Sequence, residues 1–274
     1  MTARRAFTLA ELLVAIVVLG IVGLGVSRLM MSQMRFFAST AGQRDARSVS
    51  RNALNIVRDE MRMIEPRGIV LATSTAFQVR VPYAMGVYCA ANTAIVAPVD
   101  SLAYASAVFQ GYAYRDTAVN ASYQYVASTS APAAGSTSTC TGAPVSISQP
   151  HAGWRILALD GGALTLPAGA PVLLYQTITY ELAASSIVSG RTALWRRVAG
   201  GTDEEIAVPF ENTAIFRFYV AGSTSPQDAV PADISRITGL ELVLVGESER
   251  RASNRATPET APVRLSIFFR NAVY

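Results

Sequence analysis

Glu11 is the one ionisable side chain between Phe7 and Val26 in this chain of 274 residues. A carboxylate inside so apolar a stretch costs on the order of a few kcal/mol in hydrocarbon unless a partner charge meets it. The chemistry it offers is ion pairing, and it needs a partner. Other reactive groups are sparse. His151, the only histidine, lies in the turn sequence Gln149-Pro150-His151-Ala152-Gly153, which leaves a hydrolase triad without its base. Two cysteines and one histidine are too few for a structural zinc site. Gly161-Gly162 and Gly200-Gly201 fit hairpin turns rather than a phosphate cradle. Glu204-Glu205 reads as a solvated acid pair on a turn, and the residual candidates for calcium are scattered carbonyls with Asp116 or Asp160. No enzyme activity, metal or cofactor is expected.

The element that must carry Glu11 is a helix. The 20 residues of 7–26, at about 1.5 Å each, span roughly 30 Å, the thickness of a bilayer core. Arg4 and Arg5 precede them in a six-residue leader and stay cytoplasmic by the positive-inside rule. A secretory signal would end in a small-residue cleavage site, but Ser27, Arg28 and Leu29 simply continue the helical pattern. Any cut therefore precedes the apolar run. No proline occurs from 7 to 65, and Pro66 ends the run. One helix is expected over residues 7–65, transmembrane at 7–26 and amphipathic beyond. Its apolar face is Ala46, Val49, Ala53, Val57, Met61 and Ile64, with Arg44, Asp45, Arg47, Arg51, Arg58, Asp59 and Arg62 on much of the rest. Gly20, Gly23 and Gly25 leave two readings open, local melting or close packing during assembly and ordinary glycine tolerance in a membrane helix.

These residues carry a resemblance. Ala6-Phe7-Thr8-Leu9-Ala10-Glu11-Leu12-Leu13-Val14-Ala15 resembles the class III signal of type IV prepilins and type II secretion pseudopilins. The resemblance implies cleavage between Ala6 and Phe7 by a membrane aspartyl peptidase that methylates the new amino terminus at Phe7. It also implies that Glu11 serves in assembly. Ala6 stands where the family usually has Gly, and Ala10 where it has Ile or Val.

Composition fits an exported, folded domain behind that helix. Hydrophobic residues make up 51% and charged residues 15%, which excludes a disordered chain. Net charge is +4 and falls to +2 once Arg4 and Arg5 leave, 21 basic against 19 acidic residues. That is too small to argue for nucleic acid. Cys89 and Cys140 both follow the apolar helix. In an exported domain a disulfide between them is the expectation, and two buried thiols are the alternative.

After Pro66 the period changes to two. Residues 68–73 and 75–82 read as a hairpin, with Phe77, Val79 and Val81 alternating against Gln78 and Arg80. Residues 83–150 read as an insertion of short strands and loops, pinned by Cys89–Cys140 if the bridge forms. Its tyrosines Tyr104, Tyr112, Tyr114, Tyr123 and Tyr125 suit core or half-buried strand positions better than a binding face. Further strands are expected at 154–159 with 163–166 as one hairpin, at 172–182 with 192–198 as another turned by Gly190, and at 214–220, 238–245 and 263–270. Residues 246–262 read as a solvated excursion. The fold class is α+β, a long helix packed on an antiparallel sheet spanning 66–274, as in type IV pilins.

The tail also bears a resemblance. Tyr180-Glu181-Leu182, Leu194-Trp195-Arg196-Arg197, Gly200-Gly201, Phe210-Glu211-Asn212 and Phe216-Arg217-Phe218 together resemble PilW-type minor pilins and J-type minor pseudopilins. That implies a structural subunit held in the inner membrane by one pass, its sheet domain periplasmic or extracellular, which then joins a filament. The implied partners are other pilins, the prepilin peptidase and the inner-membrane assembly platform. The alternatives are a tip adhesin or DNA-uptake subunit, a major pilin, and a simple membrane-anchored domain.

Overall fold

The computed structural model of the chain describes residues 9–65, 67–90, 92–97, 101–115, 123–135, 153–160, 166–248, 251 and 256–269. Helix α1, Leu9–Met61, runs unbroken as the proline-free sequence requires. It ends by tightening: the Met63 and Ile64 amides donate to the carbonyls of Glu60 and Met61, three residues back, at 3.1 and 3.2 Å. Its buried positions Gly42, Ala46, Ser50, Ala53, Leu54, Val57 and Met61 recur at steps of three and four. The face read from Ala46, Ala53, Val57, Met61 and Ile64 is thus the docked face.

The sheet is organised on two long strands, β2 (Ala76–Ala90) and β8 (Pro171–Ala184), paired antiparallel from Ala76↔Glu181 to Val87↔Pro171. β1 (Ile69–Ala72) forms the expected hairpin with β2. β9 (Thr192–Val198) pairs β8 through a turn in which Gly190 adopts φ +74, a region closed to most side chains. β10 (Glu204–Phe210) then pairs β9, while β11 (Ile215–Val220), β12 (Ile237–Glu247) and β13 (Thr260–Phe268) form an antiparallel trio around β12. Residue pair Phe210↔Gly246 joins the two groups.

The region from residue 83 builds a second lobe on the same strands. It comprises the second half of β2, β3 (Thr93–Ala97), helix α2 (Ser101–Ser106), β4 (Gly111–Arg115), β5 (Tyr123–Ala127) and the short β6 (Ala133–Ala134). β7 (Arg155–Ala158) closes it against β3 and β6. Two cores result. One joins α1 to Phe77, Val79, Val81, Ile178, Tyr180, Leu194, Phe210, Phe216 and Leu242. The other holds Tyr88, Ala94, Val96, Tyr112, Leu157, Val172 and Leu174.

Three expectations change. β7 pairs β3 and β6, and the proposed hairpin partner at 163–165 lies outside the described residues. Glu204-Glu205 opens strand β10, and Glu205 accepts hydrogen bonds from Ser185 Oγ at 2.5 Å and Ser186 N at 3.0 Å. Local sequence could not show that, because the serines come from the tip of another hairpin. The segment 246–262 is not wholly solvated either. Glu247, Ser248 and Glu259 are 4%, 3% and 4% exposed, since the ends of β12 and β13 slide under α1. The tyrosines pack as read: Tyr104, Tyr112 and Tyr114 lie in or on the second core, with Tyr112 fully buried and its hydroxyl donating to the Asp160 carbonyl, and Tyr123 and Tyr125 are half-buried on β5.

Candidate functional site

The first thirty described residues of α1 bury no side chain. Every residue from 9 to 38 is exposed, about 45 Å of helix. Leu12, Leu19, Leu24, Leu29, Phe36 and Phe37 are between 57% and 69% exposed. So large an apolar surface marks a contact with membrane or protein. α1 is long and apolar enough to cross a membrane by length and composition. Glu11 shares one helical face with Val14, Ala15, Val18 and Leu19.

The helix is then clasped by the sheet. At Ser39 the hydroxyl donates to Glu259 Oε1 at 2.9 Å. One turn on, a Cβ at Gly42 would lie 3.1 Å from Glu259 Cγ and 3.4 Å from Ser248 Cβ. The closest approach is at β12, where a Cβ on Gly246 would sit 2.3 Å from both the Ala46 carbonyl oxygen and Ser50 Oγ. Small residues on both sides bring helix backbone against strand backbone there. Further along, Leu54, Val57, Met61 and Ile64 fill the first core, each worth roughly 1.5–3 kcal/mol of burial.

A polar clamp fixes the end of α1. Arg196 on β9 donates from Nη2 to Glu60 Oε1 at 2.7 Å and from Nε at 3.2 Å, and the Tyr180 hydroxyl donates to Glu60 Oε2. Burial and then the Glu60 carboxylate push the Tyr180 phenol well above its ordinary range, so it stays a donor. Beyond it, Tyr125 reaches from β5 to donate to the Glu65 carbonyl at 3.3 Å, and its ring lies under the Arg80 guanidinium at 4.8 Å. The second lobe is therefore tied directly to the helix end.

This arrangement presents an exposed apolar helix, held by a clasp and a clamp.

Residues 1–27 match the prokaryotic N-terminal methylation motif. The chain thus carries the leader motif of type IV pilin-like precursors, which implies processing by prepilin peptidase and assembly with other pilins. Leader and apolar helix together fit a membrane-anchored precursor later assembled into filaments. No curated protein and no solved structure matches the chain.

Of the residues singled out in the sequence, Glu11 lies on the projecting part of α1, while Ala6 and Phe7 lie outside the described residues. Cys89 is 1% exposed and packs with Ile95 and Trp154; Cys140 lies outside the described residues, as do His151 and Asp116. Asp160 accepts a hydrogen bond from Ser128 Oγ at 2.5 Å. Among the described residues no group of three His, Cys, Asp or Glu is placed to hold a metal ion. Sequence reasoning missed Gly246, Ser50, Glu60 and Arg196. Only Glu60 carried a signal, as an acid beside the apolar face of an otherwise arginine-rich helix.

Proposed function

We propose that the chain is a minor pilin or minor pseudopilin, of the PilW or J type, that helps initiate or cap a type IV pilus or a type II secretion pseudopilus. The observation that carries this is the thirty-residue exposed segment of α1, mostly apolar, which begins inside the methylation motif and continues without a break into a docked half. Before assembly the helix holds the subunit in the inner membrane with the sheet domain on the far side.

Cleavage between Ala6 and Phe7 frees a positive amine four residues before Glu11. The two charges share a low-dielectric site, and each offsets the other's desolvation cost when they meet. Within one chain they are one turn apart; between stacked subunits Glu11 reaches a neighbour's amine. Pairing between subunits makes assembly and charge neutralisation one event. In the exported domain Cys89 and Cys140 form a disulfide that pins the second lobe.

The test is the intact mass of the protein from membranes with and without prepilin peptidase, before and after alkylation. A product starting at Phe7, carrying a methyl group and taking up alkyl groups only after reduction, is expected. A full-length product in both strains would sink the filament reading and leave an anchored domain. Glu11→Ala is expected to be cleaved but absent from filaments. A dominant band of this chain in purified filaments would make it a major pilin.

A further inference from the structure

The docked half of α1 carries a feature that the clasp and the clamp do not use. Arg44, Arg47, Arg51, Arg58 and Arg62 recur at steps of three, four and seven. At about 100° per residue they fall within an arc of roughly 60°, turned away from the face that carries Ala46, Ala53 and Val57. Arg62 stands just past the last helical residue, but its amide still donates to the Arg58 carbonyl at 3.1 Å, so it keeps the register. The stripe is about 27 Å long. Arg44, Arg47, Arg51 and Arg62 are exposed, and none of their guanidinium groups has a partner among the described residues; Arg58 reaches Asp59 at 3.7 Å.

We propose that this arginine stripe is a docking surface for an acidic face of a neighbouring filament subunit. The inference rests on the filament reading above. If neighbours cover the exposed segment up to residue 38, the stripe, which begins six residues further along the same unbroken helix, faces a neighbour too. Its charge then selects the neighbour's chemistry: carboxylates spaced along about 27 Å.

Two other polyanions fit less well. Anionic lipid headgroups are out of reach, because Arg44 lies about 27 Å along the helix from Val26, where the membrane-length run ends. A phosphate backbone would meet Asp45 and Asp59 on the same stretch of helix, and between residues 44 and 62 no aromatic side chain offers a base a stacking surface. For a protein partner those two carboxylates set register instead.

The test uses the full-length chain in cells that make its filament. A photo-crosslinking residue at Ser48 or Asn55, both exposed and within about 40° of the stripe's edge, is expected to yield an adduct with another subunit whose cross-linked peptide is rich in Asp and Glu. The triple variant Arg44→Glu, Arg47→Glu, Arg51→Glu is expected to be cleaved as wild type but to fall about tenfold in the filament fraction, since like charges now oppose each other. Arg44→Lys, Arg47→Lys, Arg51→Lys keeps the charge and is expected to restore most of the signal. An adduct with DNA, an adduct with a neutral or basic peptide, or a triple Glu variant incorporated at the wild-type level would overturn this inference alone. A wild-type chain that is never cleaved would overturn the filament reading, and this inference with it.

Discussion

Adding one methyl group to Gly246 tests how the long helix is held. In the native packing a Cβ there would stand 2.3 Å from the Ala46 carbonyl oxygen and 2.3 Å from Ser50 Oγ. Ordinary contact needs more than 3 Å, so Gly246→Ala forces α1 off β12 by about 1 Å. A gap of that size forfeits a quarter to a half of each dispersion contact along the clasp. Overpacking of this kind costs about 1–3 kcal/mol. The upper end is expected here, because one obstacle is helix backbone and the other, Ser50, is itself hydrogen-bonded to the Ala46 carbonyl at 3.1 Å. Guanidinium unfolding of the detergent-solubilised full chain, followed by circular dichroism, should show a loss of about 2–3 kcal/mol. Gly25→Ala, where a Cβ meets nothing within 4 Å, should be neutral or slightly stabilising. Adding Ser50→Ala to Gly246→Ala removes one obstacle and leaves the carbonyl, so the double variant should recover less than half of the loss. A single-variant loss under about 0.5 kcal/mol, or full recovery in the double variant, would refute the close backbone approach.

Two further outcomes are expected. Glu60→Gln leaves Arg196 without its charge partner and should destabilise the same unfolding transition by about 2–3 kcal/mol. A fully buried pair costs about 3–5, but both side chains here keep 20% exposure; an unchanged transition would show that the clamp is dispensable. At high pH the buried tyrosines act together: burial lifts the Tyr180 phenol beyond the usual range and, with the Asp160 charge next, lifts Tyr112 to about 12. Their folded values exceed the unfolded value of 10.0, so the stability they contribute is full below pH 10 and is lost as pH rises from there, by about 1.4 kcal/mol per pH unit for each group. Ultraviolet titration should therefore show these phenols ionising only with unfolding, and reversible ionisation near pH 10 in the folded protein would contradict their burial.

What could be read from the sequence was what is local. The docked face of α1 follows from a three-and-four spacing that any amphipathic helix must show, and Ala46, Ala53, Val57, Met61 and Ile64 are all buried. Hairpins β1–β2 and β8–β9 were legible for the same reason: alternating strands flank short turns, one of them set by Gly190. What escaped depends on residues far apart in the chain. Gly246 reads as a loop-opening glycine until Ala46 and Ser50, about 200 positions earlier, are laid on it. Glu204-Glu205 reads as a solvated turn until Ser185 and Ser186 donate to one of the pair. Glu247 and Glu259 are charged residues in a polar stretch, and nothing near them in sequence predicts that a helix will cover them.

The same distinction explains why residues 83–150 looked irregular while resting on a regular scaffold. On β8 the residues that enter the two cores keep one parity: Val172, Leu174, Ile178, Tyr180 and Leu182 all point to one face, with half-buried Gln176 between them. β2 must present the same face along its length, yet its inward residues switch from odd, Phe77, Val79 and Val81, to even, Ala84 and Tyr88. The register shift between Pro82 and Ala84 absorbs one residue and makes the switch possible. In sequence that shift looks like the end of a strand. In space it lets one strand pair carry two cores side by side, the first covered by α1 and the second by α2 with the loop that follows, where Tyr104 and Phe109 pack. Gln176 lies at the border, its side-chain oxygen accepting from the Val108 amide at 3.3 Å. Because the second lobe shares β2 and β8 with the helix-bound core and is pinned to the helix end through Tyr125, it cannot swing independently of α1. Whatever that lobe contacts is therefore held in a fixed direction relative to the helix.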